Sequence, residues 1–252
     1  MSIPLRPALS DLLAYLGEMG YGDLYLDPKR ANPKTAPSQA EASPRVSTQV
    51  IEAPPPPAPM DEETAGRIAE LAALAGVAGA CTRCRLAEGR NKVVFGSGNP
   101  TAELMFVGEG PGADEDRQGL PFVGAAGELL TRIIQAIEMT REEVYIANVV
   151  KCRPPGNRDP QPDEVAACRG YLDKQIALVR PRVLVALGKV AAQALLGNEA
   201  PIGRMRGQWY QVQGIPTMVT YHPAALLRNQ ALKRPTWEDM QQVRDFLRSG
   251  NL

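Results

Sequence analysis

Hydrophobic residues along this chain follow two different rhythms. From Leu104 onward, short apolar runs at Leu104–Val107, Val144–Val149, Val183–Leu187 and Thr217–Tyr221 alternate with longer stretches in which apolar residues recur every three or four positions. Runs this short and rich in branched residues predict strands buried on both faces. The stretches at 125–137, 162–179, 189–196 and 236–247 predict helices. Strands joined in succession through helices lie parallel, so the pattern predicts a three-layer α/β/α fold around a central, mostly parallel four-stranded sheet. In such sheets ligands bind beyond the carboxyl ends of the strands, which directs attention to the loops that begin there.

Upstream the pattern changes. Leu9, Leu12, Leu13 and Leu16 stand at helical spacing and predict one short amphipathic helix within residues 1–27. Residues 28–60 are rich in Pro, Ala and Ser and contain the run Pro54-Pro55-Pro56-Pro57, a composition that predicts a disordered linker. An alanine-rich helix with acidic residues in its first turn is expected over 61–80, opening an α/β domain that occupies 61–252. An amphipathic helix on a tether suits a protein partner, whereas the domain itself is expected to be monomeric.

Composition refines this picture modestly. The 44% hydrophobic fraction supports a real core, and no apolar run is long enough for a membrane span. Formal net charge is zero, but residues 1–80 carry 6 basic and 10 acidic side chains against 22 and 18 over residues 81–252. The C-terminal part is mildly basic. Local groups such as Lys151/Arg153/Arg158 and Arg228/Lys233/Arg234 offer a face for phosphates.

The four cysteines are spaced Cys81-x2-Cys84, Cys152 and Cys168. A close pair lets two thiolates turn onto one ion or cluster from a single loop, with the remote pair brought in by the fold. Nothing at the N-terminus resembles a secretory leader, so disulfides are not expected and a reducing cytoplasmic setting is. Zinc and an iron–sulfur cluster both remain open on spacing alone.

The first strand runs into Gly108-Glu109-Gly110-Pro111-Gly112, followed by Asp114-Glu115-Asp116 and by Gly119-Leu120-Pro121-Phe122-Val123-Gly124. This is neither a Walker loop nor a dinucleotide fingerprint, and its acidic run disfavours a bare phosphate. A neutral, planar, hydrogen-bonding ligand suits it, with Phe122 available for stacking. The second strand ends near Asn148, and the fourth leads to His222, the single histidine of the chain, before Pro223.

Together, Gly108–Gly112, the Gly-Leu-Pro-Phe-Val-Gly stretch, Asn148 with Lys151-Cys152-Arg153-Pro154-Pro155, and His222-Pro223-Ala224-Ala225-Leu226-Leu227-Arg228-Asn229 resemble family 4 uracil-DNA glycosylase. The resemblance runs from about Cys81 to the C-terminus. It implies excision of uracil from uracil-containing DNA in base excision repair, and a [4Fe–4S] cluster on Cys81, Cys84, Cys152 and Cys168. It further implies His222 as donor to uracil O2, Phe122 stacked on the flipped base, and Asn148 reading O4 and N3–H. Gly110 stands where family 1 enzymes carry an aspartate, which leaves Glu109 to orient water. Leu226 is expected as an apolar wedge and Arg228 as a phosphate contact. The competing expectation is a non-catalytic iron–sulfur protein that binds nucleic acid as an accessory of replication or repair.

Overall fold

The computed structural model describes residues 61–250; the helix expected within 1–27 and the linker at 28–60 lie outside the described residues. The described chain opens with helix α1 (Glu62–Gly79), a short turn of helix α2 (Leu86–Gly89) and a two-residue strand β1 (Ser97–Gly98). Strand β2 (Leu104–Gly108), helices α3 (Ala113–Gln118) and α4 (Ala125–Ala136), strand β3 (Tyr145–Asn148), helix α5 (Pro162–Val179), strand β4 (Val183–Leu187) and helix α6 (Gly188–Leu196) follow. Helix α7 (Ile202–Met205), strands β5 (Trp209–Val212) and β6 (Ile215–Thr220), and helices α8 (Pro223–Arg228) and α9 (Lys233–Ser249) complete it.

The sheet runs in the order β1-β3-β2-β4-β6-β5. Its four inner strands are parallel and are the four read from the apolar runs, while β1 and β5 pair antiparallel at the edges. The sheet therefore has six strands rather than four. β1 is too short to leave a periodic signal. β5 is the outer arm of a hairpin whose turn residues, Gln213 and Gly214, both have positive φ (51° and 77°), the geometry a tight two-residue turn requires.

Alternation along the inner strands divides the interior in two. Leu104 and Phe106 of β2 face a core shared with Leu129, Leu130 and Ile133 of α4 and Met240 and Val243 of α9. Met105 and Val107 face the opposite core, which holds Leu172 and Ile176 of α5, Ala191 of α6, and also Cys152 and Cys168. A period of two on a doubly covered sheet produces this division. The chain leaves β2 for β3 on one side and returns across it to β4 on the other, which opens a crevice at the carboxyl ends of these strands.

Helix α5 shows why the cysteine site is where it is. Its start is set by Pro162 at the first helical position and by Glu164, whose carboxylate accepts the Gln161 backbone N–H at 2.8 Å. Its buried stripe is Glu164, Cys168, Tyr171, Leu172, Gln175, Ile176 and Val179, so Glu164, Cys168 and Gln175 occupy positions that packing alone would give to apolar residues.

The Glu164 side chain is fully enclosed and meets Arg158 through two hydrogen bonds, at 2.7 and 2.8 Å, and Arg85 at 3.1 Å. The Arg158 hydrogen bonds, ahead of every other influence, hold its carboxyl near 2 against an ordinary value of 4.5. A depressed folded-state value means that the ionised group stabilises the fold above pH 4.5, and that this contribution disappears as pH falls from there toward 2. Glu164→Gln is therefore expected to lower the melting temperature at pH 7, with the gap to wild type closing steadily in an acid series down to pH 2.

Candidate active site

Glu109, Gly110, Phe122, Asn148, His222 and Arg228 line one cleft at the carboxyl ends of the parallel strands. Glu109 follows β2, Asn148 is the last residue of β3, and His222 follows β6, so the carboxyl ends of three parallel strands deliver one polar side chain each.

Close approach at the floor of the cleft depends on glycines. A Cβ on Gly108 would stand 2.4 Å from Asn148 Oδ1 and 2.6 Å from the Phe122 ring. At the end of β4, Gly188 (φ +88°) leaves room for His222, whose Cβ would otherwise be 2.8 Å away. The Phe122 and His222 rings lie with centroids 5.5 Å apart and planes at 32°.

Phe122 adopts a left-handed backbone (φ 53°), which is strained for an aromatic residue and must be held by its surroundings. Glu115 does much of this. Its Oε1 accepts the backbone N–H groups of Val123 (2.9 Å) and Gly124 (3.0 Å), and its Oε2 accepts that of Gly112 (3.1 Å). Gly127 of α4 passes so close beneath that a Cβ there would lie 1.9 Å from the Phe122 carbonyl oxygen. Arg141 donates to the Pro121 carbonyl.

As a sequence, Asp114-Glu115-Asp116 is an acidic run that repels a bare phosphate. Glu115 is instead a buckle between two loops, and Asp116 is buried against Asn91, whose backbone N–H it accepts at 2.9 Å. Residue type alone did not distinguish a field-making carboxylate from one consumed by backbone donors.

His222 caps helix α8. Its Nδ1 accepts the Ala224 N–H at 3.1 Å, so the neutral ring carries its proton on Nε2. Burial, aided by Arg228, brings its pKa down to about 4. At neutral pH the residue is an uncharged donor. Glu109 moves the other way: burial first, and then the Asp159 charge, push its carboxyl up to about 7, with Lys189 opposing. Lys189 and Asp159 themselves pair at 3.5 Å.

Asn148 is the most informative residue. It is 1% exposed, and its Oδ1 has no hydrogen-bond partner. An unpaired buried carbonyl costs about 1–3 kcal/mol, so its position in the cleft calls for a donor from water or from a ligand.

One expected residue departs from this picture. Leu226, read as a projecting wedge, is 2% exposed and packs in the core with Phe122 and Leu129. A side chain that fills the core cannot also project into a duplex. Its neighbour Leu227, at 47% exposure, points outward beside the exposed Arg228. Helical geometry separates adjacent residues by about 100°, so one leucine of the pair faces in and the other out.

The four cysteines also come together. Cys81, Cys84, Cys152 and Cys168 line a single cavity with Arg83, Arg90 and Lys151, and none of them is in a disulfide. Arg90 Nη1 approaches Cys152 Sγ at 3.3 Å, and the Arg83 guanidinium stacks 4.2 Å over the Tyr171 ring.

This arrangement has close relatives. A family model described as the uracil DNA glycosylase superfamily matches residues 95–241. The chain belongs to the uracil-DNA glycosylase superfamily. A type-4 uracil-DNA glycosylase of Sulfurisphaera tokodaii is 45% identical over 175 residues, covering 66% of this chain and 80% of its own. Its counterpart in Thermotoga maritima is 45% identical over 174 residues, covering 67% and 90%. A type-5 uracil-DNA glycosylase of Pyrobaculum aerophilum is more distant, 32% identical over 163 residues, covering 58% and 71%. Similarity at this level places the chain with the type-4 enzymes, as its Gly108–Gly112 and His222–Asn229 segments led one to expect. Among the described residues no helix is long and apolar enough to cross a membrane.

Proposed function

We propose that this protein takes uracil out of the DNA stack into the cleft and hydrolyses its N-glycosidic bond, leaving an abasic site. The observation that carries this reading is the unpaired, buried Asn148 Oδ1 at the base of the cleft. Uracil supplies the missing donor at N3–H, and its O4 accepts from the Asn148 amide nitrogen. Cytosine has an acceptor at N3 and a donor at the exocyclic amine, so it would leave both halves of the amide unpaired, at about 1–3 kcal/mol for each.

Breaking the C1′–N1 bond leaves the electron pair on the base and positive charge on the sugar. The neutral His222 Nε2–H then donates to the anion developing at uracil O2. Phe122 covers the face of the ring, and Gly110 lets the base approach without a side chain in the way. Water adds at C1′, and Glu109 orients it and takes its proton. Leu227 replaces Leu226 as the group that fills the gap left by the flipped base, with Arg228 on a neighbouring phosphate.

The donor set of Cys81, Cys84, Cys152 and Cys168 fits a [4Fe–4S] cluster. All four thiols line one cavity, and four cysteine thiolates are the ligand set such a cluster takes. When bound, the cluster supplies iron–thiolate bonds that tie the chain before β1, the loop after β3 and helix α5 to one another.

The direct test is incubation of the protein with duplexes carrying one U·G, U·A or T·G pair, followed by alkaline cleavage at abasic sites. Strand cleavage at uracil is expected; tight binding without cleavage would favour a non-catalytic binder. The role of Glu109 has its own signature. A base with a pKa of about 7 is active when ionised, so single-turnover rates are expected to rise about tenfold per unit up to pH 7 and then level. Glu109→Gln is expected to remove that limb. A limb that persists in Glu109→Gln would leave the carboxyl only a part in shaping the cleft.

A further inference from the structure

Lys151 lies between the two sites and is used by neither reaction step. Its side chain is 2% exposed, and among the described residues it has no carboxylate partner. A buried ammonium is costly unless its protons and its charge are both answered. Two protons are answered by oxygens: Nζ donates to the main-chain carbonyl of Asn148 at 2.7 Å and to Gln175 Oε1. Gln175 is itself fixed, since its Nε2 donates to the Phe95 carbonyl at 2.9 Å and to the Tyr145 hydroxyl at 3.2 Å. The charge is answered from the other side, because Lys151 lines the cavity that holds the four thiols.

We propose that Lys151 is a positioning residue that joins the two sites: it balances the negative charge of the filled cysteine site and, with the same ammonium, fixes the end of β3 from which Asn148 reads the base. The inference rests on the base-reading role given to Asn148 above. Arg83 and Arg90 also approach the thiols, but Lys151 alone among the cations lining this cavity donates to the strand that carries Asn148. Its geometry follows from the sequence. Lys151 and Cys152 lie on the short loop that follows Asn148 at the end of β3, and Gln175 and Cys168 stand seven residues apart on the buried stripe of α5.

The test uses the full-length protein with its iron content verified. Lys151→Met keeps the length and apolar stem and removes the charge and both donated bonds. Its kcat for uracil excision is expected to fall about tenfold with KM for DNA within twofold, because the DNA-facing side chains are untouched. Affinity for free uracil should fall in parallel. The iron–sulfur absorbance should persist with a lower reduction potential, since loss of a nearby positive charge disfavours the added electron.

Gln175→Leu provides a second route if Lys151→Met fails to fold. It leaves the lysine in place without its second acceptor, and a smaller fall in kcat and uracil affinity is expected. A variant that loses only melting temperature, with kcat, uracil affinity and potential all as in wild type, would overturn the proposal and leave Lys151 a packing residue. The side-chain amide resonance of Asn148, expected to shift in Lys151→Met, keeps the test separate from the activity reading. A wild-type protein that excises nothing would defeat the functional proposal and leave the resonance and the potential to decide this one.

Discussion

His222→Ala is expected to slow uracil excision by about 10²–10³-fold at pH 7, the usual effect of removing one donor aimed at a developing anion. Binding to uracil-containing duplex should change by less than about twofold, because Arg228 and Leu227 supply the outer contacts. The substitution also removes the Nδ1 acceptor from the start of α8, and a lost cap costs about 0.5–2 kcal/mol. His222→Asn separates the two effects. Asparagine is a good capping residue, so the melting temperature should return toward wild type while the rate stays low.

A further signature follows from the pKa of about 4, which burial imposes on the ring. In Glu109→Gln, where the carboxylate limb near 7 is gone, activity should show no limb near pH 6.5, the ordinary titration range of histidine, because His222 is already neutral there. Single-turnover rates from pH 5 to 9, in wild type and in Glu109→Gln, check this. A limb at 6.5 that vanishes in His222→Ala would mean that the residue acts as imidazolium.

Asn148→Ala is expected to lower excision by a similar factor, about 10²–10³, with almost no loss of stability. Two hydrogen bonds to the base disappear, each contributing about 1–3 kcal/mol when buried. The folded protein, however, loses a buried carbonyl oxygen that was unpaired, and relief of that cost offsets the few lost packing contacts. Melting temperature within about 2 °C of wild type, together with loss of inhibition by free uracil, is the expected pair of results. A strongly destabilised variant would show that the amide has a structural partner in solution. Retained selectivity for uracil over cytosine would remove Asn148 from base reading.

Much of the fold was legible because it is written in local periodicity. The apolar runs at 104–107, 144–149 and 183–187 identified three of the parallel strands almost to the residue, and the fourth was found with its start two residues late. Helix α5 was placed at its observed limits. What escaped were elements too short or too irregular to leave a periodic signal: β1 with two residues, the single turns α2 and α7, α3 inside a glycine-rich loop, and β5 with its hairpin turn. The pairing of β5 with β6 is decided across the sheet edge, and a turn of Gln213 and Gly214 is a weak cue beside an Asn-Gly.

The chemistry divides in the same way. Residue types and spacing determined the inventory: four cysteines of ligand type, one histidine before a proline, an asparagine at a strand end and a glycine-rich first loop. These are properties of individual positions, and a chain displays them without folding. Tertiary structure decided which of them meet. It put Leu226 inward and Leu227 outward, turned Glu115 from an acidic neighbour into a clamp on Phe122, left the Asn148 oxygen unpaired, and laid the Lys151 ammonium between the cleft and the cysteines. Such outcomes depend on contacts between residues far apart in the chain, where a rotation of about 100° along a helix or one carbonyl across a sheet reverses the answer. Local pattern holds no record of them.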